Sequence, residues 1–255
     1  MKIAVVTGAS SGMGREFVHQ LEYFYKDLDE IWVIARRQEQ LEMLRKEVDV
    51  PLRIFAGDLQ KREIYREFYT ELHRWRPNVR MLVNAAGFGK SGRFTDIAEE
   101  GKRLQTDMID LNCTALIRMT QMTLPYMGIG SRIVNVASAA AFCPQPDFAV
   151  YAASKSCVYS FSRALGQELK ENGIYVTAVC PGPVDTAFFK RSGELKNPLK
   201  KLNMAQAENV VHKALLDSRK KKAVSVYGTG IKSVHVMTKL LPVSLILKVE
   251  ELFTS

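Results

Sequence analysis

The chain has 255 residues, of which 47% are hydrophobic and 25% charged, with a net charge of +9. These values place it with soluble globular proteins and allow one large α/β domain or two small ones. The surplus of positive charge is spread along the chain, and its one dense run, Arg219-Lys220-Lys221-Lys222, falls at an apparent helix end, where cations offset the helix dipole, so nucleic-acid binding is not expected.

Cys113, Cys143, Cys157 and Cys180 show no paired spacing, and the four histidines are scattered, so neither a disulfide framework nor a metal site is expected. The sequence starts directly in an apolar strand, without room for a signal peptide. A cytoplasmic protein with reduced thiols is the expectation.

Residues 2–6 form the first strand, and Thr7-Gly8-Ala9-Ser10-Ser11-Gly12-Met13-Gly14 follows it. Phe17, Val18, Leu21, Phe24 and Tyr25 then recur at helical spacing. Strand, glycine-rich turn and helix together make a phosphate-binding context: Gly8 for the tight turn, Gly12 for close approach of the backbone, Gly14 for helix–strand packing. Ser10, Ser11 and Met13 complete the candidate turn. The second strand, residues 30–35, ends in Arg36-Arg37, with no acid before Glu39. An acid here would bind a ribose 2′-hydroxyl, whereas arginine accommodates a 2′-phosphate, so the pattern favours a phosphorylated dinucleotide, NADP(H).

Further elements alternate: a helix at 38–48, a strand at 52–56 closed by Gly57-Asp58-Leu59, a helix at 61–75, and a strand at 79–83 running into Asn84-Ala85-Ala86-Gly87. Residues 101–127 read as one long helix with Asn112 near its middle, a poor helix former that predicts either a tolerated polar residue or a local break whose backbone carbonyl holds a water. Strands at 132–136 and 174–179 flank a helix running to about 171, with Ser138 at the first strand's end and Pro181, Gly182, Val184 and Thr186 beyond the second. After Thr186 the periodicity fades into a lysine-rich stretch, about 187–204, read as a lid; a helix at 205–217 and a strand at 223–227 follow. The expected fold is α/β: a doubly wound parallel sheet, Rossmann-like, of about seven strands with helices on both faces in a single domain. Ligands of such sheets bind beyond the carboxyl ends of the strands, where Asp58, Asn84 and Gly87 lie. The apolar tail, about 231–255, is interrupted by Lys239, Pro242 and Lys248, which argues against a membrane span. It is read as packing on the domain, contacting a second subunit or closing the substrate pocket, in preference to lying on a membrane surface.

Tyr151 and Lys155 stand four apart in a helix, one turn apart on one face. A free phenol titrates near ~10, and a fixed cation beside it would pull that value down, making a proton donor and acceptor. The motifs Thr7-Gly8-x3-Gly12-x-Gly14, Asp58-Leu59, Asn84-Ala85-Ala86-Gly87, Asn112, Ser138, Tyr151-x3-Lys155 and Pro181-Gly182 with Thr186 occur in the order and spacing of the short-chain dehydrogenase/reductase family, which the chain resembles over residues 3 to about 190.

The resemblance implies hydride transfer between a nicotinamide and a carbonyl or alcohol. Tyr151 would be the general acid or base, and Lys155 would bind the nicotinamide ribose. Ser138 would hydrogen-bond the reacting oxygen, and Asn112 would hold a relay water. Pro181, Gly182, Val184 and Thr186 would fix the nicotinamide end, and Asp58 and Leu59 would contact the adenine. Ala85 departs from the usual second asparagine and puts one supporting hydrogen bond in question. Phe88, Phe142, Phe148, Phe188 and Phe189 suggest an apolar pocket for a small-molecule carbonyl or alcohol. A homodimer or homotetramer is expected. The rival reading is a catalytically idle dinucleotide-binding regulator or scaffold of the same fold, against which the complete Asn112, Ser138, Tyr151 and Lys155 set argues.

Overall fold

The order of the strands across the sheet decides where a ligand can sit. In the computed structural model, which describes residues 1–99, 103–186, 188 and 204–254 and side chains as far as Lys248, the strands are β1 (Lys2–Thr7), β2 (Glu30–Ala35), β3 (Leu52–Ala56), β4 (Asn78–Asn84), β5 (Arg132–Val136), β6 (Tyr175–Val179), β7 (Val184–Asp185), β8 (Ala205–Gln206) and β9 (Val224–Ser225). Seven of them form one sheet in the order β3-β2-β1-β4-β5-β6-β9, with every pairing parallel. From β1 the chain winds to one side, then returns to β4 and winds to the other. The switch point between β1 and β4 opens a crevice at their carboxyl ends.

The helices that cover the sheet follow from strand alternation. On β1, Ala4 and Val6 face one layer, where they join Phe17, Val18 and Leu21 of α1 (Gly12–Phe24) and Val210 and Val211 of the Ala207–Arg219 helix. Ile3 and Val5 face the other layer, with Trp32, Phe55 and the Phe68 and Leu72 side chains of α3 (Arg62–Trp75). The central strands are therefore continuous apolar runs, as a sheet buried on both faces requires. Each such side chain, fully removed from water, contributes roughly 1.5–3 kcal/mol. Between β2 and β3 lies α2 (Gln38–Arg45), shorter than its apolar pattern suggested: Lys46 N–H already bonds back to the Met43 carbonyl at 3.0 Å, and Val48 packs on the core from outside the helix.

The predicted helix at 101–127 is corrected into several pieces. Helix α4 (Phe94–Glu99) stands apart, and α5 (Leu104–Ile109) runs through a π-helical turn, Asp110–Thr114, into α6 (Ala115–Thr123). Asn112 sits in that turn, so the local break expected there exists as a widened turn with displaced hydrogen bonding. A short parallel pair, β7 with β8, was not foreseen. The lid reading for 187–204 falls almost wholly outside the described residues.

The tail forms two helices, Thr229–Leu240 and Val243–Thr254. The first docks by Ile231, which packs against Gly182, and by His235, stacked on Phe142 at 4.2 Å between ring centres. Packing on the domain holds for that edge only: Val234, Val236, Met237, Leu240, Val243 and Leu245 are exposed, with Leu240 at 76%. Of the covers expected for the tail, packing on the domain accounts for the Ile231 and His235 edge of its first helix. Among the described residues no helix is long and apolar enough to cross a membrane. None of the four cysteines is in a disulfide, and of the four Cys157 is exposed.

Candidate functional site

The glycine turn after β1 is shaped by contacts that admit no side chain. Gly8 has φ +71, and a Cβ there would lie 2.8 Å from the backbone of Ala86. A Cβ on Gly14 would lie 2.3 Å from the Gly8 carbonyl oxygen. Thr7 Oγ1 accepts hydrogen bonds from the N–H groups of Ala85 and Ala86 at 3.1 and 3.2 Å, tying the end of β1 to the segment after β4. Ala85 is thus tied to the end of β1 through its backbone N–H. Helix α1 starts at Gly12 without a side-chain cap on its N-terminal N–H groups, the condition under which a helix end accepts an anion. A turn closed to side chains and an uncapped helix start together fit a dinucleotide pyrophosphate.

One cleft brings together Gly8, Ser10, Ser11, Gly12, Met13, Gly14, Arg36, Arg37, Asp58, Leu59, Ala85, Gly87 and Thr186. Ile34, Ala35, Gly57, Ala86, Phe88, Leu111 and Phe188 also line it. Arg37 Nη2 reaches across to Ser10, 3.1 Å from its Oγ and 3.3 Å from its carbonyl oxygen, whereas Arg36 is exposed at the end of β2. Asp58 Oδ1 accepts from Gln60 N–H at 3.0 Å, which holds the carboxylate at the end of β3.

Eight candidates lie off this wall: Asn84, Pro181, Gly182 and Val184, and the Asn112, Ser138, Tyr151 and Lys155 set. Asn84 is buried, and its Nδ2 donates to Thr120 Oγ1 at 3.2 Å and Asn135 Oδ1 at 2.9 Å, so its side chain braces β4 against β5 and α6 instead of facing the cleft. Val184 is buried in the core, Gly182 lies beneath Ile231, and the Pro181 carbonyl accepts from Ala139 N–H at 2.8 Å. The last contact ties the end of β6 to the segment that carries Ser138.

Tyr151 and Lys155 stand on α7 (Ala149–Glu168), both nearly inaccessible at 8% and 5%. The Lys155 ammonium donates to the Val136 carbonyl at 2.8 Å and lies 5.7 Å from the Tyr151 ring centre. Burial pulls Lys155 down to about 8, with Cys113 and Cys180 opposing. Burial pushes Tyr151 up to about 12, against a hydrogen bond from Ser138 that favours the phenolate. The expected depression of the phenol by Lys155 does not appear: burial is the first cause of the shift, Ser138 opposes it, and the Lys155 ammonium points to Val136. Ser138 also caps a short 3-10 turn, its Oγ accepting from Ala140 N–H at 3.2 Å, which fixes the hydroxyl beside the phenol.

Asn112 grips the loop after β4 at two points. Its Oδ1 accepts from Phe88 N–H at 3.0 Å, and its Nδ2 donates to the Phe88 carbonyl at 3.0 Å and to Ser154 Oγ at 3.0 Å. The π-helical turn delivers this side chain, which joins the loop to α7. Of the phenylalanines expected to line a pocket, Phe148 stacks on Tyr151 at 4.3 Å, Phe188 lies 5.5 Å from it, and Phe88 packs on the same cluster. Phe142 is removed from it, held by His235 and Tyr159. Phe189 lies outside the described residues. Thr7 was read only as the start of the glycine motif, with no role of its own, and Gly89 was not picked out because nothing local marked it. Among the described residues no group of three or more histidine, cysteine, aspartate or glutamate side chains could hold a metal ion.

Comparison with known proteins agrees with this geometry. A family model described as short chain dehydrogenase matches residues 2–197. An uncharacterized oxidoreductase of Staphylococcus epidermidis is 31% identical over 211 residues, covering 81% of this chain and 88% of that one. A sulfoacetaldehyde reductase of Chromohalobacter salexigens is 35% identical over 191 residues, covering 72% of each chain. Among solved structures, a short-chain dehydrogenase from Sphingobium yanoikuyae in complex with NADPH superposes with a TM-score of 0.75 at 27% identity, covering 89% of this chain and 87% of that one.

Proposed function

The chain belongs to the short-chain dehydrogenase family, and from that membership we propose that it is an NADP-dependent oxidoreductase that interconverts an apolar ketone and the corresponding secondary alcohol. The observation that carries the reading is one cleft that joins the uncapped α1 turn, Arg36 and Arg37 and also includes Phe188, 5.5 Å from the Tyr151 ring, and Gly87, where a Cβ would lie 3.5 Å from Lys155 Nζ. The dinucleotide would be held by the Gly8–Gly14 turn, by Asp58 and Leu59, and by Thr186, and when bound it supplies the hydride. The chain itself handles the proton. Tyr151 holds it on the phenol oxygen, where burial keeps it at neutral pH, and gives it to the carbonyl oxygen as charge develops there. Ser138 Oγ, fixed by its capping bond to Ala140, orients that oxygen. Lys155 supplies a buried donor one helical turn from the phenol, and Asn112 keeps the Phe88 loop against α7. The phenyl rings around Tyr151 favour an apolar substrate over a charged one.

The cofactor part of this reading is tested at Arg36. A 2′-phosphate brings close to two negative charges to the end of β2, and a planar guanidinium can bind it with two donors. Such a charge-assisted contact contributes about 1.5–3 kcal/mol. In Arg36→Ala, NADPH binding should weaken roughly ten- to a hundred-fold, and NADH binding should change little. Arg37, already engaged with Ser10, is expected to retain part of the contact. Titrating both cofactors at low salt checks it, and equal losses for the two would refute the assignment. Turnover of a panel of carbonyls and alcohols with NADPH and NADP tests the reaction itself.

A further inference from the structure

We propose that Phe148 is a positioning residue for Tyr151: with Phe188 and Gly89 it forms an apolar seal that keeps water off the phenol and fixes its ring. The inference rests on the reading of Tyr151 as the proton carrier. Three observations carry it. First, the Phe148 ring lies flat on the Tyr151 ring, 4.3 Å between centres and 23° between planes, in van der Waals contact along the face of the phenol. Second, Phe148 is itself held in place. It precedes α7 by one residue, its N–H donates to the Gln145 carbonyl at 3.2 Å, and its carbonyl accepts from Ala152 N–H at 2.9 Å. Third, the edges of three rings meet over Gly89, where a Cβ would lie 2.8 Å from Phe188 Cζ, 2.9 Å from Phe148 Cζ and 3.0 Å from Tyr151 Cδ2. Any other residue at 89 would have to push the rings apart.

The polar surroundings leave the seal to decide the phenol's proton affinity. Ser138 faces the hydroxyl from the segment after β5, and its hydrogen bond favours the phenolate. On the same helix, Lys155 is turned to the Val136 carbonyl. Asn112, on the π-helical turn, spends its amide on Phe88 and Ser154. Lys90 follows Gly89, Asp147 precedes Phe148, and Asp107 and Asp110 flank the buried Met108 on the remaining packed elements. None of these charges is among the causes of the phenol's shift, which are burial first and Ser138 second. Burial raises the value to about 12, and the apolar rings stacked on and beside the phenol are part of that burial. A phenol so sealed is held in place as the donor that carbonyl reduction asks for.

The test needs no substrate. Phenolate absorbance is followed against pH in wild type, Phe148→Ala, Phe148→Leu and Phe188→Ala, each referenced to the same protein carrying Tyr151→Phe. In Phe148→Ala the Tyr151 titration should move down by about one pH unit, a tenfold drop in proton affinity. Phe148→Leu, which keeps apolar volume without a ring, should lie near wild type, and Phe188→Ala should show a smaller drop. The alkaline limb of kcat should move with the absorbance in the active variants. An unmoved Tyr151 titration in folded Phe148→Ala overturns the proposal; if that variant does not fold, the same result in Phe188→Ala does so. A shifted titration in a protein that turns over no carbonyl would sustain the seal and count against the proposed reaction instead.

Discussion

Tyr151→Phe is expected to reduce turnover by about a hundred- to ten-thousand-fold while leaving NADPH affinity nearly intact. The substitution removes one hydroxyl and keeps the ring, so the stack on Phe148 and the contact with Phe188 persist. The loss falls on the proton alone. Ser138 cannot replace it, because a free serine hydroxyl is a far weaker acid than a phenol, and Lys155 is directed at Val136. In free-energy terms the loss is about 3–5 kcal/mol of transition-state stabilisation, large beside the ~1 kcal/mol of a typical buried hydrogen bond. Single-turnover kinetics with saturating cofactor provide the measurement. A variant that keeps a tenth of wild-type activity when chemistry limits the rate would remove Tyr151 from its role.

Gly14→Ala is expected to have the largest effect on cofactor binding. The new methyl group would enter at 2.3 Å from the Gly8 carbonyl oxygen and 2.6 Å from its carbon. Both are backbone atoms, so no rotamer change relieves the clash. The turn between β1 and α1 must shift instead, and Gly8 is itself pressed against Ala86. Alanine gains roughly 1 kcal/mol over glycine in helix propensity, but overpacking typically costs 1–3 kcal/mol and here deforms the anion site as well. The expected result is a lower melting temperature and a loss of about a hundredfold or more in NADPH affinity. Thermal melts with and without NADPH report both effects, because a ligand stabilises only the state that binds it. Unchanged melting together with an undiminished NADPH-induced shift would contradict the packing argument.

The elements that were legible in the sequence are those specified by local spacing. Gly8, Gly12 and Gly14 follow an apolar strand and precede a helical pattern, and the structure places all three in one turn. Arg36 and Arg37 could be placed because a strand end fixes where its next residues stand. Asn112 was visible as a poor helix former, but its clamp on Phe88 was not, since the partner lies 24 positions away. The burial of Tyr151 was not visible for a related reason. Sequence spacing shows Lys155 one turn away, but burial depends on Phe148, Phe188 and Gly89, which come from three separate segments. Phe142 reads like a pocket residue until the tail helix brings His235 onto its ring. The tail's apolar residues were expected to find cover in the molecule or on a second subunit, but hydrophobicity alone does not say that the Ile231 and His235 side of its first helix is the one that docks.

The short ladder between β7 and β8 has a consequence for the ring beside Tyr151. Val184 pairs with Ala205 and Asp185 with Gln206, while Ala205 N–H also donates to the Pro183 carbonyl at 2.9 Å. The two ends of the stretch that carries Phe188 are therefore tied together next to the main sheet. The ladder acts as a clasp: it holds in register the strand that Phe188 follows by three residues, and so couples the backbone pairing of β7 and β8 to the ring that stands 5.5 Å from Tyr151.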